Sequence, residues 1–350
     1  MRVGVLTFHR CVNYGSYWQA RCLVEGLRAR GLDAVLLDHD AEYVRRVEWR
    51  CAFQPTLPVR TPRADLPLYA AKGRKFLAAF DALPQSPRFP LDHPEEAGSY
   101  DVVLVGSDEV WNFRHPWYGY KPLFFGTDLR TGRLASYAAS FGNHDAAQGI
   151  EPGWAEKLAA FDCLSVRDEN SRTLIRESIG REPSLVLDPC LQFPPPAPEP
   201  VEGTPYLAVY GHGFPNWFAA QLRTWADKNA RRVVSIGYRN DWADEQLIEA
   251  GPEEFSALIA SADAVATNFF HGCVFALLHQ RPFVSAPSAY RFNKVRDLAA
   301  LLGAERHIVF EATGAEDYAA LLGAPLDPPF QDRIAAMRVQ SDDYLRTVFG

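Results

Sequence analysis

Short apolar runs rich in β-branched residues recur along the chain, each followed by a polar or glycine-containing loop and then by apolar positions at helical spacing. Arg2–Phe8 (RVGVLTF) reads as a buried strand, HRCVNYG as a loop, and Ser16–Arg30 as a helix stopped by Gly31. LDAVLLDHD is then the next strand, which makes a βαβ start. Residues Ala41–Ser99 break the pattern: they are basic, prolyl and irregular, with one helical patch over Leu68–Leu83, as an insertion or lid would be. Regular alternation resumes with the strand Tyr100–Gly106, the loop SDEVWNF, the small-residue strand LASYAASFG, a helix over Trp154–Phe161, the strand DCLSVRD and a helix over Glu169–Ile179. SLVLDPCL closes this half, and the proline run Pro194–Pro205 predicts a stiff, extended linker.

The second half repeats the same grammar without repeating the sequence. YLAVYG and RRVVSIG are strands flanking a helix over Asn216–Asn229, and GPEEFSALIASA opens a helix with proline and acids in its first turn. Asp263–Val284 (DAVATNFFHGCVFALLHQRPFV) follows: a strand to Thr267, a loop carrying Phe270, His271 and Gly272, a helix over Cys273–His279, and a strand after Pro282. VRDLAALLG is a further helix, and Gln331–Val348 forms an amphipathic one. The expected fold is therefore α/β with two Rossmann-like domains: 1–195, a linker at 196–204, 205–330, and a terminal helix at 331–350 packing back on the first domain. This is a GT-B-like architecture, for which an active site in the interdomain cleft is expected.

Composition narrows the chemistry. With 350 residues, 47% hydrophobic and 23% charged, there is material for two cores. No apolar run reaches the roughly 18 residues that a membrane span needs, and no leader pattern opens the chain, so a cytoplasmic protein is expected. The six cysteines are scattered singly, without CxxC pairs, which predicts neither a zinc site nor a disulfide framework. Net charge is −7 and no basic run interleaves with aromatics, which argues against a nucleic-acid partner. GxGxxG is absent, so no NAD or FAD cofactor is expected, and no metal-ligand spacing stands out.

Candidate chemistry clusters where strands surface. A histidine followed by glycine at the start of a helix suits phosphate or carboxylate, or else simply closes a βα loop; this is His271 with Gly272. Asn13 can cap the first helix, while Tyr14 and Gly15 allow close backbone approach to a ligand. Ser107, Asp108, Trp111 and Asn112 can bind sugar hydroxyls, with Trp111 as a stacking platform, or form an Asx-type turn. Arg167 ends a strand beside Asp168, and Arg239, Arg291 and Lys294 follow strands of the second half.

NYGSYWQA, VVLVGSDEVWN, SYAASFG, SVRDENS, VLDPCL and the stretch from Gly251 to Val284, taken in order, resemble the polysaccharide pyruvyl transferase family from residue 3 to about 305, with no match over Ala41–Ser99. The resemblance implies transfer of a pyruvyl group from phosphoenolpyruvate to the hydroxyls of a sugar, nucleotide-linked or lipid-linked glycan acceptor. It also implies ketal formation and a donor held mainly by the second domain. It makes His271 the essential general acid or base and Arg167 the arginine of the S-x-R-D motif, with Arg291 or Lys294 as the basic residue after the histidine. Arg167 and Arg291 would clamp carboxylate and phosphate bidentately, with Lys294 as a point charge. The first-domain residues would meet the acceptor, and Ala41–Ser99 could dock on a bilayer. One departure stands out: many members have arginine two positions before the histidine, and here that position is Phe269. Either Arg239, Arg291 or Lys294 replaces that guanidinium, or the donor differs. A nucleotide-sugar glycosyltransferase of the same fold and a non-catalytic binding protein are the alternatives.

Overall fold

The computed structural model describes residues 1–350 and separates into two compact units. The first comprises Met1–Glu48, Phe80–Pro195 and Arg333–Gly350; the second comprises Trp49–Ala79 and Pro196–Asp332. The chain begins β1 (Arg2–Leu6), α1 (Tyr14–Ala29), β2 (Asp33–Leu36), β3 (His39–Asp40), α2 (Glu42–Phe53), α3 (Leu66–Asp81), β4 (Phe89–Pro90) and β5 (Ser99–Val105). It continues β6 (Arg130–Ser136), α4 (Pro152–Ala159), β7 (Ser165–Val166), α5 (Glu169–Ile179), β8 (Ser184–Leu185) and α6 (Pro189–Gln192). Then come β9 (Tyr206–Tyr210), α7 (Asn216–Lys228), β10 (Arg232–Ile236), β11 (Glu245–Leu247), α8 (Pro252–Ser261) and β12 (Ala264–Thr267). The last elements are α9 (Phe270–Leu278), β13 (Phe283–Ser285), α10 (Phe292–Leu302), α11 (Ala315–Gly323) and α12 (Pro329–Phe349).

In the first unit a parallel sheet has the order β2-β1-β5-β6, with Val3 opposite Ala34 on one side and Val102 on the other. Val3, Val5, Leu6 and Val103–Val105 are buried, as both faces of a parallel sheet must be once helices cover them. The chain leaves β1 toward β2 and later returns to β5 on the other side, so the β1/β5 seam is where strand order reverses. The carboxyl-terminal part of α12 belongs to this unit. Tyr344 donates its hydroxyl hydrogen to the Ser136 carbonyl at 2.6 Å, and Leu345 and Val348 are buried.

The second sheet has the order β11-β10-β9-β12-β13 and is also parallel throughout. Its reversal falls at the β9/β12 seam. Phe218, Leu222 and Trp225 of α7 and Tyr318, Leu321 and Leu322 of α11 share a core with Leu207, Val209, Ala264 and Ala266. Pro252 starts α8, and the Glu254 carboxylate accepts the Gly251 amide at 2.5 Å, closing the amino-terminal turn.

Two sequence expectations need correction. Ala41–Ser99 is not irregular: it contains α2 and α3, and residues 49–79 belong to the second unit rather than to an appendage of the first. The helical patch expected over Leu68–Leu83 is α3, whereas α2 escapes a periodicity reading because it fully buries only Val44. Also, α9 starts at Phe270, three residues earlier than expected, so His271 lies in its first turn and not in a loop. Phe269, extended at φ −112°, is the N-cap. No helix is long and apolar enough to cross a membrane.

Candidate functional site

Open parallel sheets bind ligands beyond the carboxyl ends of their strands, where strand order reverses. In the second unit that seam delivers His212 after β9 and Asn268, Phe269, Phe270 and His271 after β12, while Tyr238 follows the neighbouring β10. The Phe269 ring is buried edge-on against Tyr210 (4.9 Å), His212 (5.4 Å) and Tyr238 (5.5 Å). The Phe269 ring thus organises an aromatic cluster. Over its face, 4.2 Å from the centroid, lies the Arg291 guanidinium, supplied by the loop after β13. Cation–π packing thus places a positive charge on the aromatic cluster.

The other basic candidates fare differently. Arg239 is engaged with Asp65 at 3.1 Å and with Asp241 at 2.6 Å, so its charge is spent on ion pairs at an accessible position. Lys294 is buried one turn into α10, its ammonium 5.8 Å from the Tyr290 ring. Gly272 has a packing role: a Cβ there would fall 2.1 Å from Thr267 Oγ1, so α9 can approach β12 this closely only with glycine. That explains the residue without a ligand.

Sequence reasoning missed two members of this cluster, His212 and Lys72. Lys72 comes from α3, in the stretch that resembled nothing, and its Nζ donates to the Gly237 carbonyl at 3.0 Å and lies 4.4 Å from the Tyr238 ring centroid. Burial pulls its amine down to about 7. Burial, then Arg291 and Lys72, pull His212 down to about 4, so its imidazole is neutral near pH 7. A signal existed: Tyr69, Lys72 and Phe76 recur at helical spacing and all are buried, which puts a lysine at an apolar position of α3.

In the first unit the β1/β5 seam brings Asn13, Ser107, Asp108 and Arg167 together, but mostly as structure. Asn13 Oδ1 accepts the Gly15 and Ser16 amides at 2.8 and 3.2 Å and caps α1, with Tyr14 and Gly15 buried in its first turn. Arg167 is fully buried and donates to Asp188 (2.9 Å), Ser107 Oγ (3.1 Å) and Asp108 (3.4 Å). It sits among the first-unit candidates, and its neighbour Asp168 caps α5 through the Ser171 amide at 2.8 Å. Asp108 holds a left-handed backbone at φ 69° and accepts the Ser16 hydroxyl at 2.7 Å. Trp111 is no stacking platform: it is 1% exposed, packed on Phe141 and Phe161, with its indole N–H on the Phe124 carbonyl at 2.8 Å. Asn112 is likewise buried, its amide nitrogen donating to Glu109 at 2.7 Å and Asn143 at 3.0 Å. Aromatic richness here serves packing.

Beyond β2 the first unit has a groove of about 810 Å³ lined by Tyr43, Arg46, Arg88, Asp92 and His93 among others. Arg88 of its lining donates to the buried Asp38 carboxylate at 3.1 Å. Burial opposes its ionisation, yet hydrogen bonds from His9 and Arg10 outweigh this and hold the carboxyl well below its usual range. Half-buried Glu48 of α2 accepts Cys11 Sγ–H at 3.1 Å and Trp117 Nε1–H at 2.9 Å, both on Oε1; burial pushes it up to about 7, with Asp108 adding to the effect. His93, Glu95 and Glu96 could offer ligand atoms within 4.8 Å of one another, but they are exposed and His93 already pairs with Glu95.

Comparison with known proteins fits this geometry. The S. aureus structure titled "MnaA-UDP co-structure" aligns with TM-score 0.56 at 12% identity, covering 99% of this chain and 96% of that one. A putative UDP-N-acetylglucosamine 2-epimerase from Listeria monocytogenes gives TM-score 0.56 at 11% identity, with 99% and 95% coverage. UDP-GlcNAc 2-epimerase from Methanocaldococcus jannaschii gives 0.53 at 11% identity, with full coverage of both chains. At such identities the likeness establishes the fold, the paired Rossmann-like units of the GT-B class. No curated protein sequence matches the chain. The sequence model of one family, polysaccharide pyruvyl transferase, matches residues 13–287, which span the second sheet, the first sheet apart from β1, the Asn13 cap and the His271 turn, and the chain therefore belongs to the polysaccharide pyruvyl transferase family.

Proposed function

We propose that this protein transfers the pyruvyl group of phosphoenolpyruvate to hydroxyls of a sugar or glycan precursor. The observation that carries the proposal is Arg291 over the Phe269 ring, beside the first turn of α9 that holds His271. A cation and a helix amino terminus there suit a small dianion. His271 protonates the methylene carbon, C2 becomes oxocarbenium-like, and a sugar hydroxyl oxygen bonds to it. Inorganic phosphate then leaves C2, and a second hydroxyl closes the ketal. Arg291 holds the carboxylate or phosphate in bidentate fashion. The acceptor docks on the first unit, where the groove beside Arg46 and Arg88 offers charged and aromatic contacts.

The test is thermal stabilisation by phosphoenolpyruvate, with UDP, GDP and phosphate alongside, followed by phosphate release in the presence of sugar acceptors. A donor at about 100 times its dissociation constant adds about 2.7 kcal/mol. Arg291→Ala weakens donor affinity by about ten- to a hundredfold. His271→Ala keeps donor affinity but slows turnover by about 10² to 10⁴. Stabilisation by a nucleotide diphosphate alone assigns a nucleotide-sugar donor instead, and unchanged turnover in His271→Ala removes the acid–base role.

A further inference from the structure

We propose that Lys72 is a donor-binding residue of the second unit, its ammonium meeting the carboxylate or phosphate of a small phosphorylated acid alongside Arg291. This rests on the reading that the donor binds at the β9/β12 seam. Lys72 reaches the carboxyl end of that sheet from α3, touching the Gly237 carbonyl and the Tyr238 ring. Tyr238, Phe269 and His212 pack against one another, with His212 5.0 Å from Tyr238 and 5.4 Å from Phe269. Arg291 covers Phe269 and Lys72 covers Tyr238, so two cations border one three-ring cluster. Both cations reach His212, where they add to burial, the larger cause, in keeping the imidazole neutral. A methionine or leucine would fill the Lys72 position without the cost of burying an amine, and Lys72 is only 2% exposed. A second, independent sign is Asn268, 2% exposed, whose Nδ2 donates to the His212 carbonyl at 2.8 Å while its Oδ1 has no hydrogen-bond partner. A protonated phosphate oxygen would satisfy that acceptor. Lys72 is thus a second cation for the donor in a chain that has Phe269 in place of the family's arginine.

The inference also couples binding to protons. The charged and titratable groups around Lys72 are His212 from the β9 loop, Arg291 from the loop after β13, and, flanking α3, Tyr69 and the Arg239–Asp65 pair. An anion beside an amine that burial has pulled down to about 7 draws a proton onto it.

The experiment is calorimetric titration of phosphoenolpyruvate, and of inorganic phosphate alone, into the full chain, Lys72→Met and Lys72→Arg, in buffers of differing ionisation enthalpy across roughly pH 7 to 9. Wild type binds phosphoenolpyruvate with proton uptake. Lys72→Met weakens it by about tenfold or more and abolishes that uptake, and Lys72→Arg restores affinity to within about threefold. Phosphoenolpyruvate binding to wild type with no change in Lys72→Met overturns the role of Lys72 alone. Absence of binding to wild type overturns the donor reading instead. Should Lys72→Met fail to fold, binding to wild type without proton uptake overturns the inference.

Discussion

Phe269 and Glu48 illustrate how residue identity and residue role part company. At position 269 an apolar ring nonetheless receives a charge: the Arg291 guanidinium lies over its face while also donating to Ser288 Oγ at 3.1 Å. Glu48 is a carboxyl pushed up to about 7 from an ordinary 4.5, chiefly by burial. Between these values the folded chain binds the proton that the unfolded chain has lost, so stability falls as pH rises through that window, and the full cost applies above about 7. Glu48→Gln keeps an acceptor for Cys11 and Trp117 and removes the ionisation. Urea unfolding at about pH 5 and about pH 8 then gives a smaller loss on going alkaline than wild type; parallel losses would mean that Glu48 does not carry the effect. Trp111→Ala separates packing from ligand stacking at the same scale. Core truncation of this size costs about 3–5 kcal/mol, whereas loss of a surface platform would leave stability within about 0.5 kcal/mol.

Helix α9 owes its position to one hydrogen atom. Gly272→Ala forces Cβ against Thr267 Oγ1 and separates α9 from β12, which overpacking precedents put at about 1–3 kcal/mol. Because His271 precedes this contact directly, on the proposed function the variant's turnover falls together with its melting temperature. A melting temperature equal to wild type would show that the strand yields. At α1 the cap is the element's own requirement: Asn13→Ala leaves the Gly15 and Ser16 amides without their acceptor and costs about 1 kcal/mol in urea unfolding. Asn13→Asp retains the cap and should retain the stability.

At the scale of the molecule, the second unit is not one continuous length of chain. Residues 49–79 belong to it, with Lys75 on Glu254 (2.6 Å), Asp65 on Arg239 (3.1 Å) and Lys72 on Gly237 (3.0 Å) joining α3 and the turn before it to the rest. A fragment of residues 196–332 therefore lacks part of its own core and melts below the same unit within the whole chain. Adding a peptide of residues 49–79 restores cooperative unfolding. A fragment that already melts like the intact unit would show that α3 is an accessory.

The sequence alone determined the local grammar: β-branched runs that must be buried on both faces, prolines and acids that open helices, and a histidine at a strand end followed by glycine. Each is a near-neighbour property, set by backbone sterics, hydrogen bonding and apolar spacing. Parallel sheets follow from these, which is why the α/β class was legible and His271 was expected just beyond a strand end, although it lies in the first turn of α9 and not in a loop. Partnership across long sequence separations was not. Only the tertiary structure decided that Arg291 covers Phe269, that Trp111 and Asn112 point into the core, that Arg167 is consumed by Asp188 and Asp108, and that Lys72 reaches from α3 to the end of β10. A charged side chain looks the same in sequence whether solvent, a carboxylate or an aromatic face receives it; burial and the partner's position fix its free energy, and both come only with the fold.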